Sequence, residues 1–307
     1  MADAIVSASG SREDSAMTSK GSLVRSRTPS ETAEAHAIMA GYAEKIEQWY
    51  DFVGTPRPVS KNSALDVADA LSDPFPSSHT VSYSILTAVD HLHALRALLV
   101  DARAQHIFAP YTLIRSAIEN AATALWIMSD PAPRAIAVRS LKMEHANHKD
   151  VARAYETVGA EPATARIQLF DDVIAKNNMK KDGIKASPPG LLKILEEVSK
   201  THNLGTLPAL MWQLCSAAAH GRNWAIQILT LMETEDDGTA KTISGKLTSD
   251  ENAIANALQV VGPLIDRTMT MQLSRCSATG STGDSFIKPL PKLLLPETGL
   301  IFPKGHG

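Results

Sequence analysis

The sequence predicts an all-α protein: an antiparallel helical bundle with additional helices, a disordered amino-terminal segment and a proline-rich carboxy-terminal tail. Three observations predict it. Apolar residues recur at spacings of three and four through most of the chain between residues 31 and 276. Glycine and proline interrupt those runs where helices would start or stop. The single strand-like run, around residues 241–247 after Asp236, Asp237 and Gly238, is short and polar, and is expected to be a loop or small hairpin.

Taken in order, the first thirty or so residues are rich in Ser, Ala and charge, with little periodicity, so disorder is expected there. A helix over 31–53 ends at Gly54, Pro56 and Pro58. Val81, Ile85, Ala88, Leu92, Leu95 and Leu99 form one stripe of the next, with Ser77 or Ser78 available as N-cap. Tyr111, Ile114, Ile118, Ala121, Leu125 and Met128 form the stripe of a third. Pro110 suits its first turn, where the missing N–H has no partner anyway, and Pro131 stops it. Further helices fit 133–158, 162–178, 189–200, 207–220, 223–233 and 249–275, punctuated by Gly159, Gly183, Gly205 and Gly221. Residues 277–307 form a linker and tail in which Pro289, Pro291, Pro296 and Pro303 forbid a helix of useful length. Leu293, Leu294, Leu295, Ile301 and Phe302 make that tail too apolar for a solvating segment. An extended strap on the bundle and a partner-docking peptide are its two readings. The division is therefore 1–30, a helical domain over 31–276, and 277–307.

Composition narrows the function. The chain has 307 residues, two cysteines, 5% aromatic residues and a formal net charge of -3. Two cysteines build neither a disulfide framework nor a four-thiolate zinc site. Near-neutral charge and few aromatic rings argue against a dedicated nucleic-acid binder. The most apolar long stretch, 107–128, carries Arg115, Glu119 and Asn120, so no membrane span is expected. No basic start followed by an apolar run is visible at the amino terminus, and a cytoplasmic location with reduced thiols is expected. No cofactor is expected.

Candidate chemistry lies in a few spacings. His91 and His93 project roughly 200° apart on a helix and cannot share one ion. His145 and His148, with Glu144, present two imidazoles and a carboxylate on adjacent surface, but a closed metal site needs further ligands from other helices, and none is expected. Cys215 sits among apolar helix positions and reads as core. Ser216 and His220 are four apart, which permits a Ser–His contact, while a helix that ends at His220 with Gly221 as its left-handed cap explains the same residues. Arg115 and Glu119 are also four apart, on the same arc as Trp126. An exposed Trp beside an ion pair would be wasteful, so that face is expected to pack on another helix with the pair partly buried. It is either a register-fixing ion pair or the wall of a small-ligand pocket.

Two segments, 111–139 and 210–226, resemble uncharacterised actinobacterial all-helical proteins. In these an Arg-x-x-x-Glu helix ends in a Trp and an acidic-Pro turn, Arg residues follow, and a later helix ends in Ser-x-x-x-His-Gly. The matching positions are Arg115, Glu119, Trp126, Asp130, Pro131, Arg134, Arg139, Ser216, His220 and Gly221. The pattern is more distantly similar to the HEPN superfamily of helical bundles, which includes RNA-cleaving toxins and defence proteins beside inactive members. Active members carry an Arg, usually followed by a polar residue, and a His a few residues beyond. Such a pair would stabilise charge at the scissile phosphate and move protons. Arg222 and Asn223 begin that pattern without a following His, and His220 precedes them. Arg139 is followed by His145, but the two project roughly 120° apart on one helix.

The resulting expectation is a non-catalytic bundle acting as an interaction or ligand-sensing module, with a protein partner or small ligand and a homodimer as a candidate assembly. Arg115, Glu119, Trp126, Ser216 and His220 are its candidate pocket residues. The alternatives are a HEPN-like endoribonuclease or defence effector using Arg139 with His145, or His220 with Arg222, and, more weakly, a metal-dependent bundle enzyme. Trp126, Trp212 and Trp224 fall in the two similar segments and are expected near the bundle's centre.

Overall fold

The computed structural model describes residues 3–6, 16–17, 23–24, 27–160, 165–235 and 243–278. Among them the chain forms the predicted helical bundle. Its helices are α1 (Pro29–Gly54), α2 (Ala64–Ser72), α3 (Ser77–Arg96), α4 (Ala109–Met128), α5 (Pro133–Thr157), α6 (Ala165–Lys176), α7 (Lys181–Lys185), α8 (Leu191–His202), α9 (Leu207–Ala219), α10 (Asn223–Leu229) and α11 (Glu251–Cys276). Three short strands, β1 (Asp3–Val6), β2 (Ala16–Met17) and β3 (Leu23–Val24), precede them, and β4 (Thr230–Glu235) and β5 (Ile243–Ser249) form a hairpin before α11. β1 pairs antiparallel with the free edge of β5, and β2 with β3. The remaining residues of the expected disordered segment, and the tail from 279, lie outside the described residues.

The central helix is α4. Its stripe residues Tyr111, Ile114, Ile118, Ala121, Leu125 and Met128 are all fully buried, and so are Ala117, Ala122, Ala124 and Ile127 between them. A helix that is apolar nearly all round needs neighbours on every side, and α3, α11, α9, α8 and α5 supply them. As expected from the position of Trp126, the second face is covered: that ring is only 4% exposed. The α1 helix lies over α3 and α11, while α2, α6 and α7 pack on α5.

Local chemistry explains most boundaries. Thr28 and Glu31 form a reciprocal capping box at the start of α1. Asp250 caps α11 by accepting from Asn252 N–H at 3.0 Å. The same carboxylate, wholly shielded from solvent, takes both Arg27 Nη2 at 2.6 Å and Nε at 3.3 Å, which ties the entry of α1 to the start of α11. Arg222 N–H reaches Ala217 carbonyl at 2.9 Å and Gly221 N–H reaches Ala218 at 3.0 Å. This closes α9 as a Schellman turn, with Gly221 at φ +64°.

Four differences from the sequence reading have physical causes. The helix expected over 223–233 stops at Leu229, because the backbone turns extended at Thr230 and residues 230–235 pair antiparallel with β5. Neither Ser77 nor Ser78 acts as the N-cap of α3. The carboxylate of Asp69, on α2, instead accepts from Ser78 N–H at 2.7 Å and from its hydroxyl at 2.6 Å. The α3 stripe does not run on as α-helix to Leu99, since Ala97–Asp101 winds as a π-turn closed by Ala102 N–H to Ala97 carbonyl at 2.8 Å. Finally, Trp224 is 48% exposed on α10, away from the centre where its segment suggested it.

Candidate functional site

The candidate residues sort into two polar clusters, one buried histidine and one exposed arginine. In the first cluster, Arg115 Nε donates to Glu119 Oε1 at 2.8 Å along α4. Trp212 Nε1, from α9, donates to the same oxygen at 2.8 Å. Arg115 Nη1 lies 3.2 Å from His220 Nε2. A guanidinium only donates, so His220 Nε2 is the acceptor in this contact. The cluster thus joins α4 to the end of α9. Ser216 contributes its backbone: its carbonyl accepts from His220 N–H at 3.2 Å, while the His220 ring turns to Arg115. Arg115 and Glu119 keep about a quarter to a third of their side-chain surface in solvent, and His220 is exposed. This is an open surface node.

In the second cluster, Glu197 on α8 accepts from Trp126 Nε1 at 3.1 Å and from Arg139 Nη2 at 2.8 Å. The Arg139 guanidinium stacks over the Trp126 ring at 4.9 Å, and its Nη1 donates to the Trp126 carbonyl. Three helices, α4, α5 and α8, are therefore latched by one arginine. The sequence contained no signal for Glu197, which lies 58 positions from its partner on the polar face of another helix.

His145 belongs to neither cluster. Its ring meets Phe170 edge-on at 5.4 Å, and His148 meets the same phenyl group at 5.2 Å. His148 Nε2 also pairs with Glu144 at 3.2 Å. The two imidazoles thus pack on an aromatic ring, and among the described residues no group of three or more His, Cys, Asp or Glu side chains is placed to hold a metal. His91 and His93 go separate ways as well, the first to Thr87 carbonyl at 2.7 Å and the second to a stack on Tyr50 at 3.9 Å. Cys215 is buried in the core, and burial pushes its thiol up to about 12, so it stays protonated. Arg222 is exposed at the N-cap of α10, where its backbone carbonyl accepts from Ala225 and Ile226.

Burial lowers the pKa of His145, and the neighbouring Lys149, Lys185 and His148 lower it further against a smaller opposing effect of Asp171. Burial followed by Arg267 and Arg275 does the same to His202. A base whose folded pKa lies below its unfolded value of 6.5 binds fewer protons folded than unfolded. Stability from both groups is therefore present above the unfolded value and lost as pH falls through the window beneath it. The urea midpoint is expected to drop between about pH 7.5 and about pH 5.5, and His145→Leu should make that slope shallower. An unchanged slope in the variant would remove His145 from this account.

Concave space lies elsewhere. One cavity, an open groove of about 580 Å³, lies between the end of α3 and the start of α4 and is lined by alanines, leucines and Thr112, among them Ala94, Leu98 and Leu113. A second, of about 540 Å³, opens between α1, the end of α3 with its π-turn, and the start of α11. None of the residues of the two polar clusters lines either cavity. No helix among the described residues is long and apolar enough to cross a membrane. Comparison with known proteins finds no matching family model, no matching curated protein and no matching solved structure.

Proposed function

We propose that the chain is a non-catalytic helical bundle acting as a ligand-sensing module, with the cavity between α1, α3 and α11 as its binding element. The observation that carries this reading is the separation of reactive side chains from enclosed space. Group-transfer chemistry needs its acid, base and charge stabiliser within reach of one bound substrate. Here Arg139 is committed to Trp126 and Glu197, while His145 packs on Phe170. The Arg115–Glu119–Trp212–His220 node is satisfied within itself and sits on an open surface. A half-enclosed cavity with an apolar floor and a polar rim is instead the usual shape of a small-molecule site, typically about 300–1,000 Å³. The test of the non-catalytic half is whether the purified full chain leaves single-stranded RNA intact, with and without divalent metal.

A further inference from the structure

The second cavity combines an aliphatic floor with a charged rim, whereas the first is lined by alanines, leucines and Thr112. Ile46 from α1, Leu95 from α3, and Ile254 and Leu258 from α11 line the floor, each almost wholly shielded from solvent. Met39 and Ala43 complete it. Such a surface rewards hydrocarbon by desolvation and dispersion, and gives a polar body nothing in return.

The rim carries charge. Glu251 is taken by the His36 ring at 2.7 Å and by the Gln105 amide. Arg96 is taken by Glu47 and Asp101. Arg103, which also lines the cavity, makes no ion pair or hydrogen bond among the described residues. Among the described residues, the charged side chain of the rim without a partner is therefore this exposed guanidinium. The backbone that presents it is the most irregular stretch of the wall. It follows the π-turn at Ala97–Asp101, Ala104 N–H returns to Leu98 carbonyl at 2.9 Å, and Arg103 itself stands at φ +49°. Side chains rarely adopt that left-handed conformation.

We infer that this cavity takes a small amphipathic carboxylate, its aliphatic body on the floor and its carboxylate on Arg103. The inference rests on the ligand-sensing reading and adds the chemical class of the ligand. A planar guanidinium fits a carboxylate through two parallel hydrogen bonds, which gives orientation as well as energy. A neutral amphiphile leaves Arg103 uncompensated. A cationic one meets Arg103, and Glu251, the only carboxylate among the described residues that line the cavity, is already held by His36 and Gln105.

Calorimetric titration of the full chain with sodium octanoate, octanol and octyltrimethylammonium, below any micelle concentration, tests this. Octanoate is expected to bind about tenfold more tightly than octanol. Arg103→Gln, at an exposed position, should abolish that tenfold difference and leave octanol unchanged. Ala43→Phe, which fills the floor, should abolish both. Equal affinities for octanoate and octanol, tighter binding of the cation, or unchanged octanoate affinity in Arg103→Gln would overturn the carboxylate and leave the cavity standing as a site. Binding of none of the three probes to the wild-type chain would overturn the ligand-sensing reading itself.

Discussion

Replacing Asp266 by alanine is expected to lower the unfolding free energy by about 3 kcal/mol, the usual scale for stranding one half of a buried ion pair. Asp266, on α11, holds two groups of α1. Lys45 Nζ pairs with its Oδ2, and Trp49 Nε1 donates to Oδ1 at 3.0 Å. The Lys45 side chain is 5% exposed and Trp49 is 1% exposed, so each loses its partner at a largely shielded position beside a carboxylate that is itself 25% exposed. A stranded ammonium is the expensive part, because removing a charge from water costs far more than losing a neutral hydrogen bond. Lys45→Met in the Asp266→Ala background should therefore recover much of the loss. Urea unfolding of the wild type, the single variant and the double variant provides the comparison. A single variant within about 0.5 kcal/mol of the wild type would show that the α1–α11 seam does not depend on this contact.

Gly262→Ala is expected to cost about 2 kcal/mol, although alanine is the better helix former by about 1 kcal/mol. The cause is a close approach at the same seam. A β-carbon at position 262 would overlap Tyr42 Cε1 and lie 2.7 Å from the Tyr42 hydroxyl oxygen and 2.9 Å from Cζ. Tyr42 is 1% exposed and fixed between α1 and α11, so the ring has nowhere to move without shifting a helix. Tyr42→Leu creates space at the same contact. The two substitutions combined should accordingly destabilise by less than the sum of their separate effects, a coupling that thermal or urea melts resolve in a double-mutant cycle. Strict additivity would contradict the contact.

The bundle itself was legible because its strongest signal is local. The α4 stripe and its flanking prolines fixed that helix, and the position of Trp126 beside Arg115 and Glu119 showed that its polar face is covered. Features decided by distant partners were not legible. The π-turn after Arg96 continues an apolar stripe through Leu98 and Leu99, and nothing in that run announces a bond from Ala102 back to Ala97. Short α2 was missed because nine residues show barely two turns of periodicity. At 230–235, Leu231 and Met232 are adjacent and three polar residues follow, so no period-two alternation announces a strand that pairing with β5 decides. For Arg139 the sequence shows neighbours along one helix, whereas the partners it meets, Trp126 and Glu197, come from two others. The cavity draws its lining from three helices and a loop spread between residues 36 and 258, so no window of sequence contains it.

The central claim, that the reactive-looking side chains hold the bundle together and do not transform a substrate, is tested most directly by RNA integrity. Purified wild-type chain, Arg139→Ala, His145→Ala and His220→Ala are each incubated with single-stranded RNA, with and without divalent metal, and the products are resolved by length. The account predicts intact RNA in every lane, with the substitutions registering in the stability of the chain alone. Cleavage by the wild type that disappears in His145→Ala or His220→Ala would contradict it.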